Sequence, residues 1–199
     1  MMSKLINRTA LSMAVVCVLA SPLAIAAEKP AKVTAQTKLD LYLTATEAWQ
    51  MMQAQKDAIL VDVRDPVEIK FTGFATPTQI HVPWMVADSN GWSAKRSSWA
   101  MVKNPDFEAQ LSDRLAALDA KSDTPIIVMC RSGSTRSAPA VNLLADKGYT
   151  NVWTVVDGFE GGKLKEGDSK GVRAQNGWRN SGLPWSYKID QAVAWQPNS

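Results

Sequence analysis

Apolar positions along the chain fall into short solid runs separated by stretches with helical spacing. Thr44-Ala45-Thr46-Glu47 has capping-box spacing and predicts a short helix to about Ala54, after which Ile59-Leu60-Val61-Asp62-Val63 reads as a buried strand. A short helix over 66–71, a turn over 73–77 and a second strand, Gln79-Ile80-His81-Val82, closed by Pro83, follow. Asn104 is expected to cap a helix with Pro105 at its first position, and Phe107, Leu111, Leu115 and Leu118 mark its buried stripe. Ile126-Ile127-Val128-Met129 is the expected central strand, 137–147 a helix closed by Gly148, and 151–156 another strand. Residues 84–103 show neither period and read as a long loop. Strands alternating with helices predict an α/β fold whose central, mainly parallel sheet is flanked by helices on both faces. In such folds the ligand site lies outside the carboxyl ends of the strands, where both Asp62 and Cys130 fall.

Ahead of this pattern, Lys4 and Arg8, an apolar run over 11–20 and Ala24-Ile25-Ala26 match a signal peptide over 1–26, so the mature chain is expected to be periplasmic. The apolar run is too short to span a bilayer, and no membrane attachment is expected after cleavage. Residues 27–39, rich in Ala, Lys and Thr without periodicity, read as a flexible linker. Lys4 and Arg8 account for most of the positive charge, which falls from +3 to +1 without residues 1–26. No cationic block then remains to recruit nucleic acid. The rest, roughly 170 residues, suits one domain with its own core.

Of the two cysteines, Cys17 belongs to the signal and Cys130 is left unpaired. That excludes an internal disulfide, a Cys-x-x-Cys redox pair and a cysteine-based zinc site, and no metal or organic cofactor is expected. An exported free thiol invites over-oxidation, so its place in a loop points to use rather than packing. The run Cys130-Arg131-Ser132-Gly133-Ser134-Thr135-Arg136-Ser137 lies between the central strand and a helix N-terminus. Ser132, Gly133, Ser134 and Thr135 are small or permissive enough for successive amides to converge on an anionic sulfur or an oxyanion. Arg131 and Arg136 add fixed positive charge, so Cys130 is expected to be a reactive thiolate. These residues alone leave its electrophile open.

Four pieces in this order resemble the rhodanese-like superfamily: Leu60-Val61-Asp62-Val63-Arg64-Asp65-Pro66-Val67-Glu68, Ile80-His81-Val82-Pro83, Cys130-Arg131-Ser132-Gly133, and Val156-Asp157-Gly158-Phe159-Glu160-Gly161-Gly162. The resemblance implies a rhodanese-like domain over 40–162; the tryptophan-rich loop 84–103 is longer than in a minimal rhodanese and departs from the family, and 163–199 reads as a tryptophan-containing extension. It implies a sulfurtransferase that moves sulfane sulfur from a small anionic donor such as thiosulfate to a thiophilic acceptor through a Cys130 persulfide. Cys130 would be the nucleophile, Arg131 and Arg136 would orient the donor, and the amides of 132–136 would stabilise the persulfide. Asp62 and Arg64 would shape the neighbouring loop, and Glu68 would be a solvated helix residue or a partner for Arg64. His81 is expected to be structural, because a preformed thiolate needs no general base.

The sequence departs from the family in its loop, where Thr135 adds one residue and yields Cys-x5-Arg. That is also the spacing of cysteine phosphatases and of some arsenate reductases built on a rhodanese-like fold, so phosphatase-like or arsenate-reducing chemistry stays open. Met129 stands where phosphatases usually place a histidine. Of the eight tryptophans, Trp49 and Trp153 lie in regular elements and are expected in the core. Trp84, Trp92, Trp99, Trp178, Trp185 and Trp195 lie in irregular segments, where they either pin the tail to the long loop or dock a partner protein. The latter leaves a non-enzymatic sulfur carrier or binding module as a further alternative.

Overall fold

The structure is a computed structural model that describes residues 26–197. The expected signal peptide lies outside the described residues apart from Ala26. A single 3-10 turn (Val33–Ala35) precedes β1 (Tyr42–Leu43) and α1 (Ala45–Ala54). Then come β2 (Ile59–Asp62), α2 (Pro66–Thr72), β3 (Phe74–Ala75), β4 (Ile80–His81), β5 (Met85–Ser93), β6 (Ser98–Lys103) and α3 (Phe107–Ala117). The chain continues through β7 (Ile126–Met129), α4 (Ser137–Asp146), β8 (Val152–Val155), β9 (Gly162–Lys163), β10 (Arg173–Gln175), α5 (Gly177–Asn180) and β11 (Trp185–Ser186).

Five strands form a parallel sheet in the order β1-β8-β7-β2-β4. Because side chains alternate along a strand, the apolar runs of β2 and β7 feed two cores at once. Ile59, Val61, Ile126 and Val128 pack with Leu111, Leu115, Val141 and Leu144 of α3 and α4. Leu60, Ile127 and Met129 point the other way, toward Ala48 of α1 and Trp178 of α5. Covering both faces is what requires four consecutive buried apolar residues in β7. No described helix is long and apolar enough to cross a membrane.

Local chemistry sets the element ends. Thr44 and Glu47 close a reciprocal capping box on α1, and Asp65 and Glu68 close another on α2. At α3 the expected cap moves. Asn104 Oδ1 accepts from the Asp106 N–H at 3.1 Å, forming an Asx turn that carries Pro105 outside the helix, which begins at Phe107. Leu118, expected on the buried stripe, lies just past the last turn and is 46% exposed.

Residues 84–103 are not a loop. β5 and β6 pair antiparallel from Met85↔Lys103 to Ser93↔Ser98, with a bulge between Asp88 and Trp92. This hairpin stands off the main sheet with both faces partly in water, and the bulge breaks its alternation, so no period of two survives in the sequence. Its base is tied to the carboxyl end of β2: the Trp84 N–H donates to Val63 O at 3.1 Å, and the Ala87 N–H donates to Asp65 Oδ2.

Residues 27–39 are likewise held rather than free. The Ala27 N–H donates to Tyr42 O at 3.0 Å, the Lys38 N–H donates to Asn142 Oδ1 at 2.8 Å, and Ala35 and Thr37 are buried. Docking by polar contacts leaves no hydrophobic period to read.

The carboxyl-terminal segment packs on α1, β3 and the sheet. Asp157 accepts from the Ala45 N–H and the Gly177 N–H, both at 2.8 Å, and so fastens the starts of α1 and α5 together. Trp178, expected in an irregular segment, lies in α5 and is fully buried, with its indole N–H donating to Pro184 O at 2.9 Å. Trp185 lies in β11, which pairs with β3. Farther on, the Trp195 N–H donates to His81 Nδ1 at 3.2 Å while His81 Nε2 contacts Arg64 O at 2.9 Å. Both ring nitrogens are therefore engaged in holding backbone.

Candidate active site around Cys130

Cys130 follows the last residue of β7 and opens the turn into α4. The carbonyls of the turn are clamped from behind by the segment after β8: the Phe159 N–H donates to Cys130 O at 2.9 Å and the Glu160 N–H to Arg131 O at 3.0 Å. With those carbonyls turned backward, backbone N–H groups of Ser132 and Ser137 face the sulfur. The Ser137 hydroxyl lies 3.4 Å from Sγ and donates to the thiolate.

Two glycines make the turn this tight. Gly133 has φ +69°, and a Cβ there would stand 2.0 Å from Val156 O. Gly158 has φ +63°, and a Cβ there would stand 2.5 Å from both Cys130 O and Ser132 N.

Burial raises the thiol's pKa, but the Arg136 charge, the Ser137 hydroxyl and the two backbone N–H groups outweigh it, and the net shift is downward. Arg136 is the N-cap residue of α4, and its guanidinium forms a two-pronged pair with Glu68, Nη2 to Oε1 at 2.9 Å and Nη1 to Oε2. Burial lowers the Arg136 pKa, yet the Glu68 carboxylate, with the Cys130 and Asp62 charges, raises it further than burial lowers it. Glu68, expected to be solvated or to pair with Arg64, is thus the partner of Arg136 instead. Arg131 pairs with Glu160, Nε to Oε1 at 2.9 Å.

A depressed pKa means that the thiolate persists at a lower pH than in an unperturbed thiol. Alkylation of Cys130 by iodoacetamide will therefore rise with pH to a midpoint below that of an unperturbed thiol, about 8.5. A midpoint at or above that of free cysteine would show that burial wins and would contradict this balance.

Cys130 is 2% exposed, yet it opens onto a cavity of about 630 Å³. Of the residues singled out from sequence, Cys130, Arg131, Ser132, Ser134, Thr135 and Arg136 line it, while Gly133 backs onto Val156. Asp62 and Arg64 are not in the lining. They form a fully buried ion pair behind the turn, and the Arg64 guanidinium lies 4.0 Å from the centre of the Phe159 ring.

The hairpin forms the cavity's other wall with Met85, Trp99, Ala100 and Met101. Trp92 and Trp99 pair across its strands and are 66% and 62% exposed. Sequence reading missed Ser137 as a partner of the sulfur, Glu68 as a partner of Arg136, and Lys32, Arg96 and Arg173 as lining residues. Ser137 was signalled by its place at the first turn of a helix. Lys32, Arg96 and Arg173 come from segments with no period, which only the tertiary fold brings to the site.

A profile described as a rhodanese-like domain matches residues 44–165. The chain is 31% identical over 145 residues to the uncharacterised protein RP600 of Rickettsia prowazekii, covering 73% of this chain and 96% of that one. It is 28% identical over 143 residues to the thiosulfate sulfurtransferase GlpE of Actinobacillus succinogenes, covering 71% and 86%. Among solved structures, Rv0390 from M. tuberculosis is similar at 32% identity and a TM-score of 0.56, covering 74% of this chain and 97% of that one.

Proposed function

Because the chain belongs to the rhodanese-like domain family, we propose that it is a sulfurtransferase that carries sulfane sulfur as a Cys130 persulfide. The observation that carries this reading is an unpaired thiol with a depressed pKa at the floor of a cavity lined by arginines. The thiolate attacks the outer sulfur of thiosulfate. A bond forms between Cys130 Sγ and that sulfur, the sulfur–sulfur bond of the donor breaks, and its electron pair leaves with sulfite. The new terminal sulfur keeps a negative charge, which the Ser132 and Ser137 amides are positioned to stabilise. In the second half a thiolate or cyanide attacks the terminal sulfur, and Cys130 leaves as thiolate. The similarity to a protein named as a thiosulfate sulfurtransferase supports the same reading.

On the Cys-x5-Arg turn, Glu68 takes two of the five N–H donors of Arg136, so an oxyanion there would be held by the remaining ones. The amino-terminal sequence pattern supports action in the periplasm.

Incubation with thiosulfate is expected to add one sulfur, about 32 Da, to the Cys130 peptide, removable by cyanide. A thiol that takes up no mass from any sulfane donor, while an aryl phosphate is hydrolysed, would replace this reading with oxyanion chemistry.

A further inference from the structure

The charges around the cavity are not all matched. Arg136 and Arg131 have carboxylates of their own in Glu68 and Glu160. Lys32, Arg96 and Arg173 also line the cavity, and none of them makes an ion pair among the described residues. They come from three separate segments: the lead before β1, the turn between β5 and β6, and β10. Arg173 gives one N–H to Gly161 O at 2.6 Å, but its Nε is buried without a partner. Burial, and then the neighbouring Arg131, lower the Arg173 pKa by more than the Glu160, Cys130 and Glu68 charges raise it.

The size of the cavity is also out of proportion to an inorganic donor. A volume of about 630 Å³ is in the range that encloses an organic ligand of tens of atoms, whereas thiosulfate has five heavy atoms. The hairpin side of the cavity carries an apolar strip of Met85, Trp99, Ala100 and Met101 beside the polar Ser93, Arg96 and Ser98.

Resting on the sulfurtransferase reading, we propose that the thiol exchanging sulfur with Cys130 is a small organic molecule bearing two or more separated anionic groups. Its carbon frame lies against the hairpin wall and its anions meet Lys32, Arg96 and Arg173. As donor it is the persulfide: Cys130 Sγ bonds to the terminal sulfur, the bond to the inner sulfur breaks, and the polyanionic thiolate leaves with the electron pair. As acceptor the same thiolate reverses these steps. Three cations from three directions select spread charge over a single compact anion.

The test uses a charge series of persulfides, made from 2-mercaptoethanol, 3-mercaptopropionate and mercaptosuccinate, with thiosulfate alongside. Each loading rate on Cys130 is divided by the rate of the same persulfide with free cysteine, which removes differences in leaving-group reactivity. Normalised kcat/KM is expected to rise about tenfold per carboxylate at low salt and to flatten as ionic strength increases. In Arg96→Gln, at the exposed hairpin turn, and in the triple variant Lys32→Gln, Arg96→Gln, Arg173→Gln, the ratio of dicarboxylate to neutral donor should fall, most in the triple. A flat series in the native protein with thiosulfate loading intact would overturn the proposal and leave sulfur transfer standing. Absence of loading from every donor would overturn both.

Discussion

Replacing Cys130 with serine will abolish sulfur loading and transfer, with a loss of at least about 10³-fold in kcat/KM for any sulfane donor. The reason is chemical rather than structural. A serine hydroxyl stays protonated at neutral pH, and the turn's stabilising groups shift an acidity far too weak to start with. Sulfur on oxygen would also lack the exchangeable sulfur–sulfur bond on which the second half-reaction depends. No other cysteine is present among the described residues to substitute for it. Serine is nearly isosteric, and the Ser132 and Ser137 N–H groups that faced the sulfur will face an oxygen instead. The variant should therefore fold, with a far-ultraviolet circular dichroism spectrum like that of the native protein. Mass spectrometry after thiosulfate treatment, together with thiocyanate formation from cyanide, gives the result directly. Turnover surviving in a folded variant would move the chemistry away from this sulfur.

The two-sided burial of β2 and β7 was legible because a strand covered on both faces has to be apolar at every position, as Ile59 to Val61 and Ile126 to Met129 are. The amide-lined turn after Cys130 was legible for a related reason: small residues between a buried strand and a helix let successive amides converge, as those of Ser132 and Ser137 do on the sulfur. The segments that complete the site carry no such signature. Beyond Trp84, which packs on Phe107, the strands of the 84–103 hairpin contribute to neither core cluster and never had to alternate, and Arg96 at its turn looks like any solvated cation. Glu68 shows the limit of local reading most clearly. From sequence its neighbour is Arg64, four residues away, but Arg64 turns inward to Asp62. Glu68 is left to meet Arg136, which is 68 residues distant along the chain. Pairing between charged side chains is decided by which element each one leaves, and that is a property of the packed sheet.

The inward turn of Arg64 leads to the largest expected effect on stability. Its Nε and Nη2 donate to Asp62, Nη1 donates to Thr72 Oγ1 at 2.9 Å and Nη2 also donates to Gly73 O at 3.0 Å, with both charged side chains fully out of water. A buried pair of this kind contributes little relative to a well-packed apolar pair, because desolvation offsets attraction. Removing one member is another matter. Arg64→Met leaves the Asp62 carboxylate buried with its charge uncompensated, at a cost of about 3–5 kcal/mol, or roughly 10 °C in Tm for a domain of this size. Adding Asp62→Asn to that variant removes the orphaned charge, so the double variant should melt above the single one. The damage will also reach the site. Arg64 stacks on Phe159, whose N–H holds Cys130 O, and the Arg64 carbonyl meets His81. Loosening that support frees the carbonyl of Cys130 and lets the turn relax around the sulfur, so the alkylation midpoint of Cys130 should move up toward the ordinary thiol value in Arg64→Met. Thermal melts of the three proteins and their alkylation profiles test the two effects separately. A single variant melting as high as the double would show that the unpaired carboxylate is not the source of the loss. An unchanged alkylation midpoint in a destabilised protein would show that the turn holds its geometry without the support of Arg64.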